Sequence, residues 1–501
     1  MFSLLKSLIY INLLTFAGLA VFCICANTQV SQTLKKAFAI VLLYCNFIVF
    51  ISPNIIVHEI MSIFIVPLFA RQRKQVLPIY LFAFLLMPAI SYTLSAGGTY
   101  LFVFTNFISL SIGAYAALIM KGGSSKGKWT ASATCVMLIM VVYLFAGLRG
   151  GSITNTMRVF AETALIILLP YLVVRRSIRS TFDAREMLIA LAAACTILSV
   201  IAIYEANKTW PIYRIVYEHY GIVLGNEVQV KMRGGIMRAT GTFIESTSFG
   251  LWLSFGAFVG LTGRWMFKSR IHHWIICGIL LAGLFAPQSR GAWLGLVIAF
   301  MFFQIGKGRI GAMISGLVGS LTFGAFVYGI AHVIPQLGTM LGLDKTGTIG
   351  HDYRQDLFTR GIEEAQKNLL FGTDFNTVLE QLADIRQGEG IIDFVNTYLY
   401  LLLVSGAVGM IIFFFSLFVP ITAMWRKAAK FRKLDTYPMS VIAALLGSLA
   451  IMLFFTFLSG RTTMGLGMLL GAAAALESMN ASRIGEVFTK SGDTRRRVRI
   501  G

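Results

Sequence analysis

Long apolar runs broken by short polar stretches dominate the chain. A helix needs about twenty apolar residues to span a bilayer core. By that measure the pattern predicts helices near 7–25, 37–52, 54–70, 76–95, 100–120, 129–148, 156–174, 186–204, 245–263, 273–287, 291–306, 311–331, 396–424, 438–459 and 463–479. Period-two alternation does not persist along successive segments, which excludes a transmembrane β-barrel. The expected fold class is an all-α polytopic integral membrane protein, a bundle of about 12–15 transmembrane helices.

Composition sharpens this picture. Of 501 residues, 57% are hydrophobic and 13% charged, against about 45–50% and about 25% in soluble domains. A soluble enzyme, a disordered chain and a disulfide scaffold are excluded. The six cysteines all lie inside apolar runs and read as small packing residues. The first apolar run reads as a membrane helix rather than a cleaved signal peptide.

Lys and Arg number 43 against 22 Asp and Glu, a net charge of +21. Basic clusters fall at Lys35/Lys36, Arg71/Arg73/Lys74, Lys121/Lys126/Lys128, Arg175/Arg176/Arg179, Arg264/Lys268/Arg270, Lys307/Arg309, Arg426 to Lys433 and the C-terminal tail. Each cluster follows an odd-numbered apolar segment, so the positive-inside rule makes those loops and the C-terminus cytoplasmic. Membrane topology thus accounts for most of the excess charge, with no nucleic acid involved.

Two long loops remain for the outer face, giving six regions: helices in 1–204, a loop at 205–244, helices in 245–331, a large loop at 332–395, helices in 396–479 and a basic tail at 480–501. The large loop is acid-rich, and 352–370 reads as an amphipathic helix with Leu357, Phe358, Ile362 and Leu369 on one stripe. Loops this long in compact proteins usually carry function, so the outer face is the expected working surface.

Several short motifs carry no chemistry. Gly-Ser-Ser-Lys-Gly at 123–127 imitates a nucleophile elbow but sits in a basic loop. His58-Glu59 opens like a zinc-protease motif, yet position 62 is Ser. The adjacent His272 and His273 cannot face one metal from a helix. Gly256 and Gly260 suit close helix packing. No metal site and no cofactor are expected.

The informative residues are arginines at outer helix ends, where the positive-inside rule gives no reason for them. RGGIMRATGTF (233–243) supplies Arg233 and Arg238, and QSRGAWLG (288–295) supplies Arg290. Arg149, Arg158 and Arg461 map to the same side. Ion pairing with the acid-rich loop is one explanation. The other is an anion: a guanidinium fork fits phosphate bidentately, and a nearby Gly lets backbone approach a ligand. At a lipid surface that anion would be a lipid-linked phosphate or pyrophosphate.

These motifs, with NLLFG (368–372) and NTYLYLLLVSGAVG (396–409), resemble the O-antigen ligase-like family over roughly residues 230–415. The resemblance implies a metal-independent glycosyltransferase of the bacterial inner membrane, with a helical fold like other membrane glycosyltransferases and an active site facing the periplasm. Its donor would be an oligosaccharide on undecaprenyl pyrophosphate, and its acceptor a growing glycan or an acceptor lipid. Chain-length regulators, a flippase and membrane lipids would be its partners. Arg238 and Arg290 match the family's two important arginines and would hold the pyrophosphate, with Arg233 beside them.

Ligases of the family carry a His just before Asn-x-Tyr-Leu, where this chain has Val395. Asp393 is the first candidate base here, although a negative charge before the helix at 396 has a structural use as well. His351 is the second candidate. Asn396 could orient the acceptor or Asp393, and Arg354 is either a further phosphate ligand or a partner of an acid in its own loop. The expected function is an exopolysaccharide or O-antigen polymerase joining lipid-linked repeat units. A ligase transferring glycan to a lipid A-core or protein acceptor is the alternative, and a transporter of lipid-linked sugars the second.

Overall fold

A computed structural model describes residues 2–96, 99–122, 128–149, 152–222, 231–233, 235–334, 338–339, 345–386 and 392–484. The Gly-Ser-Ser-Lys-Gly segment and the tail beyond 484 lie outside the described residues.

The chain opens with α1 (Phe2–Cys25), α2 (Gln32–Ile51), α3 (Ile55–Phe69) and α4 (Val76–Leu86). Strands β1 (Ser91–Ala96) and β2 (Thr99–Thr105) come next. Then follow α5 (Asn106–Met120), α6 (Ala131–Leu148), α7 (Ile153–Thr163), α8 (Leu169–Ser177) and α9 (Thr181–Lys208). A short α10 (Arg214–His219) and the strands β3 (Met232–Arg233) and β4 (Ile236–Met237) precede α11 (Ser246–Thr262), α12 (Arg270–Phe285), α13 (Arg290–Gly306) and α14 (Ile310–Val333). The chain continues through α15 (Lys345–Lys367), α16 (Phe375–Gln381), α17 (Thr397–Lys430), α18 (Tyr437–Met452), α19 (Gly460–Glu477) and α20 (Ala481–Ile484).

Among the described residues, seven helices are long and apolar enough to cross a membrane, counting Ile153–Ser177 as one. Five apolar helices are shorter, among them α12, α13 and α18. The protein is therefore an all-α polytopic membrane protein, and outside residues 87–105 the apolar segments expected from the sequence coincide with helices.

Two expected boundaries are corrected. The segments at 76–95 and 100–120 are not continuous helices: α4 stops at Leu86, and residues 91–105 form an antiparallel hairpin. Pro88 follows at once and cannot continue a helix. Beyond it Tyr, Thr, Phe and Val favour a strand, while two glycines stand between β1 and β2. Hydropathy alone cannot separate these cases, because a strand of Tyr, Leu, Phe and Val scores as apolar as a helix.

The acid-rich loop is helical as expected, but its buried stripe differs. Leu357 and Ala365 are buried on α15, whereas Phe358 and Leu369 are about half exposed. Leu357 and Ala365 join Val378, Leu382, Ile392 and Phe394 in a small second core against Leu399, Leu403 and Val404 of α17. The large loop is thus a folded cap on one end of the bundle. Three of its acids pair within it: Arg360 bonds Glu363 and Asp384, and Lys367 bonds Glu364.

The anchor of this cap is a break in α17. Gly406 has φ 68° and ψ −175°, a conformation open in practice to glycine alone. The interruption frees helix groups to bond the Asn-Leu-Leu-Phe-Gly segment. The amide of Ala407 donates to Leu369 O at 2.8 Å, and that of Thr373 donates to Leu403 O at 2.8 Å. A Cβ on Gly406 would stand 2.3 Å from the carbonyl oxygen of Leu370, and one on Gly372 would stand 2.4 Å from that of Leu403. Irregular backbone at membrane depth survives only where protein satisfies it, and here two glycine motifs satisfy each other.

Candidate functional site

The site is built where α9, α11, α12, α13, α17 and α18 end. β3 and β4 form a two-residue-paired hairpin, Met232 to Met237 and Arg233 to Ile236. It lies on the turn between α12 and α13. Arg238 Nε donates to Pro287 O at 3.1 Å, and Arg233 Nη1 donates to Gln288 O at 3.1 Å. Gln288 is itself left-handed, with φ 50°, which reverses the chain just before Arg290 opens α13. Carbonyl groups therefore fix the arginine stems without cancelling their charge.

A buried carboxylate holds the other side of this loop. Glu205, at the end of α9, accepts from Ile212 N at 3.1 Å on Oε1, and from Thr240 N at 3.2 Å and Gly241 N at 2.8 Å on Oε2. It thereby fixes the Arg-Ala-Thr-Gly-Thr-Phe segment two residues beyond Arg238. The sequence reading missed Glu205, whose only signal was an acid at the end of a long apolar helix.

Two adjoining cavities open at this end. One, of about 580 Å³, is lined by Lys231, Arg238, Arg354, Asp393, Glu245 and Val395 among others. The second, of about 320 Å³, is lined by Arg233, Arg238, Arg290 and Arg354 together with Leu251, Leu294, Met452 and Phe455, among others. Arg238 and Arg354 belong to both. The four arginines singled out in the sequence thus converge from three separate stretches of chain, and Lys231 joins them.

The electrostatics are those of clustered positive charge. Burial, with Arg233, Arg354 and Arg290 nearby, lowers the pKa of Arg238 to about 10. Burial and Arg290 lower that of Arg354, against an opposing pull from Asp393. Among the described residues no carboxylate forms an ion pair with Arg238 or Arg354. The three paired acids of the acid-rich loop, Glu363, Glu364 and Asp384, bond Arg360 and Lys367 rather than Arg238 or Arg354.

Asp393 sits on the rim of the larger cavity. Burial raises its pKa, while Arg354 and Lys231 pull it down. Its backbone is pinned to α15: the amide donates to Tyr353 Oη at 2.9 Å, and that hydroxyl donates to Asp393 O at 3.3 Å. Asp393 is not the helix cap. Asn396 is, accepting at Oδ1 from Tyr398 N at 2.9 Å and Leu399 N at 3.1 Å. Its oxygen is committed to α17, and it lines neither cavity, so only its amide nitrogen is left for the orienting role expected from the sequence. His351 falls on α15 with its side chain outside those described.

Two further arginines of the same end are structural. Arg461, 5% exposed, donates to Leu85 O, Met87 O and Thr242 O, and its guanidinium lies 4.0 Å from the Phe243 ring centroid. It satisfies the terminal carbonyls of α4. Arg149 donates to Gly372 O and so secures the cap. Arg158 lies on α7 and lines neither cavity.

Beyond the charges, the larger cavity has an aromatic wall missed in the sequence. Tyr400 stands 5.5 Å from Phe394, 6.0 Å from Phe375 and 5.0 Å from Phe457, measured between ring centroids. Glu245 is a second acid there, bonded by Ser248 Oγ at 3.0 Å. Among the described residues no three His, Cys, Asp or Glu side chains gather as a metal site would require. Chemically, the arrangement suits a multiply charged anion in the smaller cavity, with a polar and aromatic chamber beside it. No protein-family model matches this chain, and no curated protein matches it.

Proposed function

We propose that the protein is a glycan polymerase that joins lipid-pyrophosphate-linked repeat units at the outer face of a bacterial inner membrane. One observation carries the reading: Arg233, Arg238, Arg290 and Arg354 meet around one cavity that apolar side chains also line. Pyrophosphate supplies the negative charge such a cluster calls for, and a polyprenyl chain suits Leu251, Leu294 and Met452. The sugar attached to the pyrophosphate would then occupy the neighbouring chamber, against Tyr400 and Phe457.

In this mechanism the acceptor hydroxyl oxygen attacks the anomeric carbon. The bond from that carbon to the pyrophosphate oxygen breaks, and its electron pair leaves with the pyrophosphate. Arg238 and Arg290 stabilise the charge that grows on the leaving oxygen, the kind of electrostatic term that usually dominates catalysis. The hydroxyl proton passes to Asp393, whose pKa is raised toward the range useful for a base. No redox partner is needed.

The test is an assay of the purified protein with a single-repeat undecaprenyl-pyrophosphate glycan as both donor and acceptor. A ladder of lengthened products supports the polymerase. Transfer only after a lipid A-core or protein acceptor is added would replace it with a ligase, and no transfer in either case would return the transporter.

A further inference from the structure

The opposite end of the bundle carries a separate cluster of charge. There α1 meets the segment before α12 through Asn27 N and Met266 O, and Arg185 of α9 pairs with Asp435 ahead of α18. Lys128, Arg175, Arg176, Arg179 and Arg483 line a cavity of about 390 Å³ between the ends of α8 and α19. The positive-inside rule explains why basic residues lie at this end. It does not explain why five of them border one cavity.

Neutral groups hold these side chains in place. Arg175 Nη1 donates to Tyr171 Oη at 2.8 Å and its Nη2 to Lys128 O at 2.9 Å. Arg179 Nη2 donates to Gly122 O at 3.3 Å, and the Arg176 guanidinium lies over the Tyr115 ring at 4.9 Å. Among the described residues no carboxylate lines the cavity. Acids on neighbouring elements bond helix starts. Glu477 of α19 accepts from Ala131 N and Ser132 N at 3.0 Å each, and Asp183 of α9 accepts from Arg179 N and Ser180 N.

Five cations with no lining anion among the described residues call for an anionic ligand, and fork-shaped arginine donors match phosphate oxygens. The remaining wall indicates its source. Leu172, Ile178 and Met479 are apolar, and Trp129 is 66% exposed beside them, as suits an aromatic side chain at the headgroup level. Basic clefts between membrane helices on the cytoplasmic side match acidic headgroups. We propose that this cavity binds the phosphate of an anionic phospholipid, gripped by Arg175, Arg179 and Arg483. The proposal is independent of the reading given to the Arg238 end.

The experiment is thermal unfolding of the full-length protein in neutral detergent, with added phosphatidylglycerol, phosphatidylcholine or inorganic phosphate. Phosphatidylglycerol raises the midpoint by roughly 2–4 °C at saturation, and phosphatidylcholine does not. The variant Arg175→Gln/Arg179→Gln/Arg483→Gln loses the rise. Arg426→Gln/Lys430→Gln/Lys433→Gln, which removes as many exposed charges from the end of α17 and the turn after it, keeps it. An equal response to both lipids, or equal loss in both variants, overturns the site. A rise of the same size from inorganic phosphate, lost only in the cavity variant, overturns the lipid in favour of a soluble phosphate compound. If the triple variant fails to fold, Arg175→Gln alone must weaken lipid affinity several-fold, and unchanged affinity there overturns the proposal.

Discussion

Glu205 Oε2 accepts the amide N–H of Gly241 at 2.8 Å, joining the last turns of α9 to the loop that carries Arg238. Glu205 is fully buried and serves three amides with two oxygens. Glu205→Gln retains one acceptor oxygen and turns an NH₂ group toward a donor. It is expected to destabilise the protein by about 1–3 kcal/mol and to lower turnover per folded molecule. Calorimetry or thermal unfolding beside the polymerisation assay checks both, and unchanged turnover would show that Arg238 does not depend on this anchor.

Removing one guanidinium from the shared cluster tests the leaving-group role. Arg238→Ala and Arg290→Ala should each reduce turnover by about 10²–10³, with normal amounts of protein in the membrane. Arg238→Lys restores charge but not the fork, so it should recover only part of the loss. Full recovery would mean that point charge suffices.

Asp393 is expected to govern the acidic side of the pH profile. Its pKa is raised by burial, so the basic form prevails at high pH and is lost as pH falls through a value above the ordinary carboxylate range of about 4. Turnover should therefore fall at an unusually high pH on acidification. Asp393→Asn should abolish that limb and cost about 10²–10⁴ in turnover. A persistent limb in the variant would move the base elsewhere, with Glu245 next to be tested.

Asn396 separates structure from chemistry. As the cap of α17, Asn396→Ala should cost about 1 kcal/mol of stability and leave turnover per folded molecule nearly unchanged. A large loss of turnover without loss of stability would place Asn396 in the reaction.

Gly406 tests how the cap is mounted. Gly406→Ala forces a side chain into a conformation reserved for glycine and against Leu370 O at 2.3 Å. Protease sensitivity in the 345–395 region should rise while the bundle stays helical by circular dichroism. Equal protection in both proteins would show that the cap is held some other way.

The sequence by itself determined the class of the protein and the position of nearly every helix. Apolar length against bilayer thickness is a local quantity, readable one segment at a time, and so is the alternation of basic loops. It also singled out arginines that line one cavity, because charge beside glycine at a helix end stands out against apolar surroundings. Tertiary structure decided the rest. Only the fold could tell Arg238, facing a cavity, from Arg461, bonded to Met87 O across 374 positions of chain. Only the fold could give the cap to Asn396 rather than Asp393, and turn residues 91–105 into a hairpin. Hydropathy measures how well a residue tolerates lipid. Which helix ends meet, and which carbonyls need a donor there, depends on partners far away in sequence.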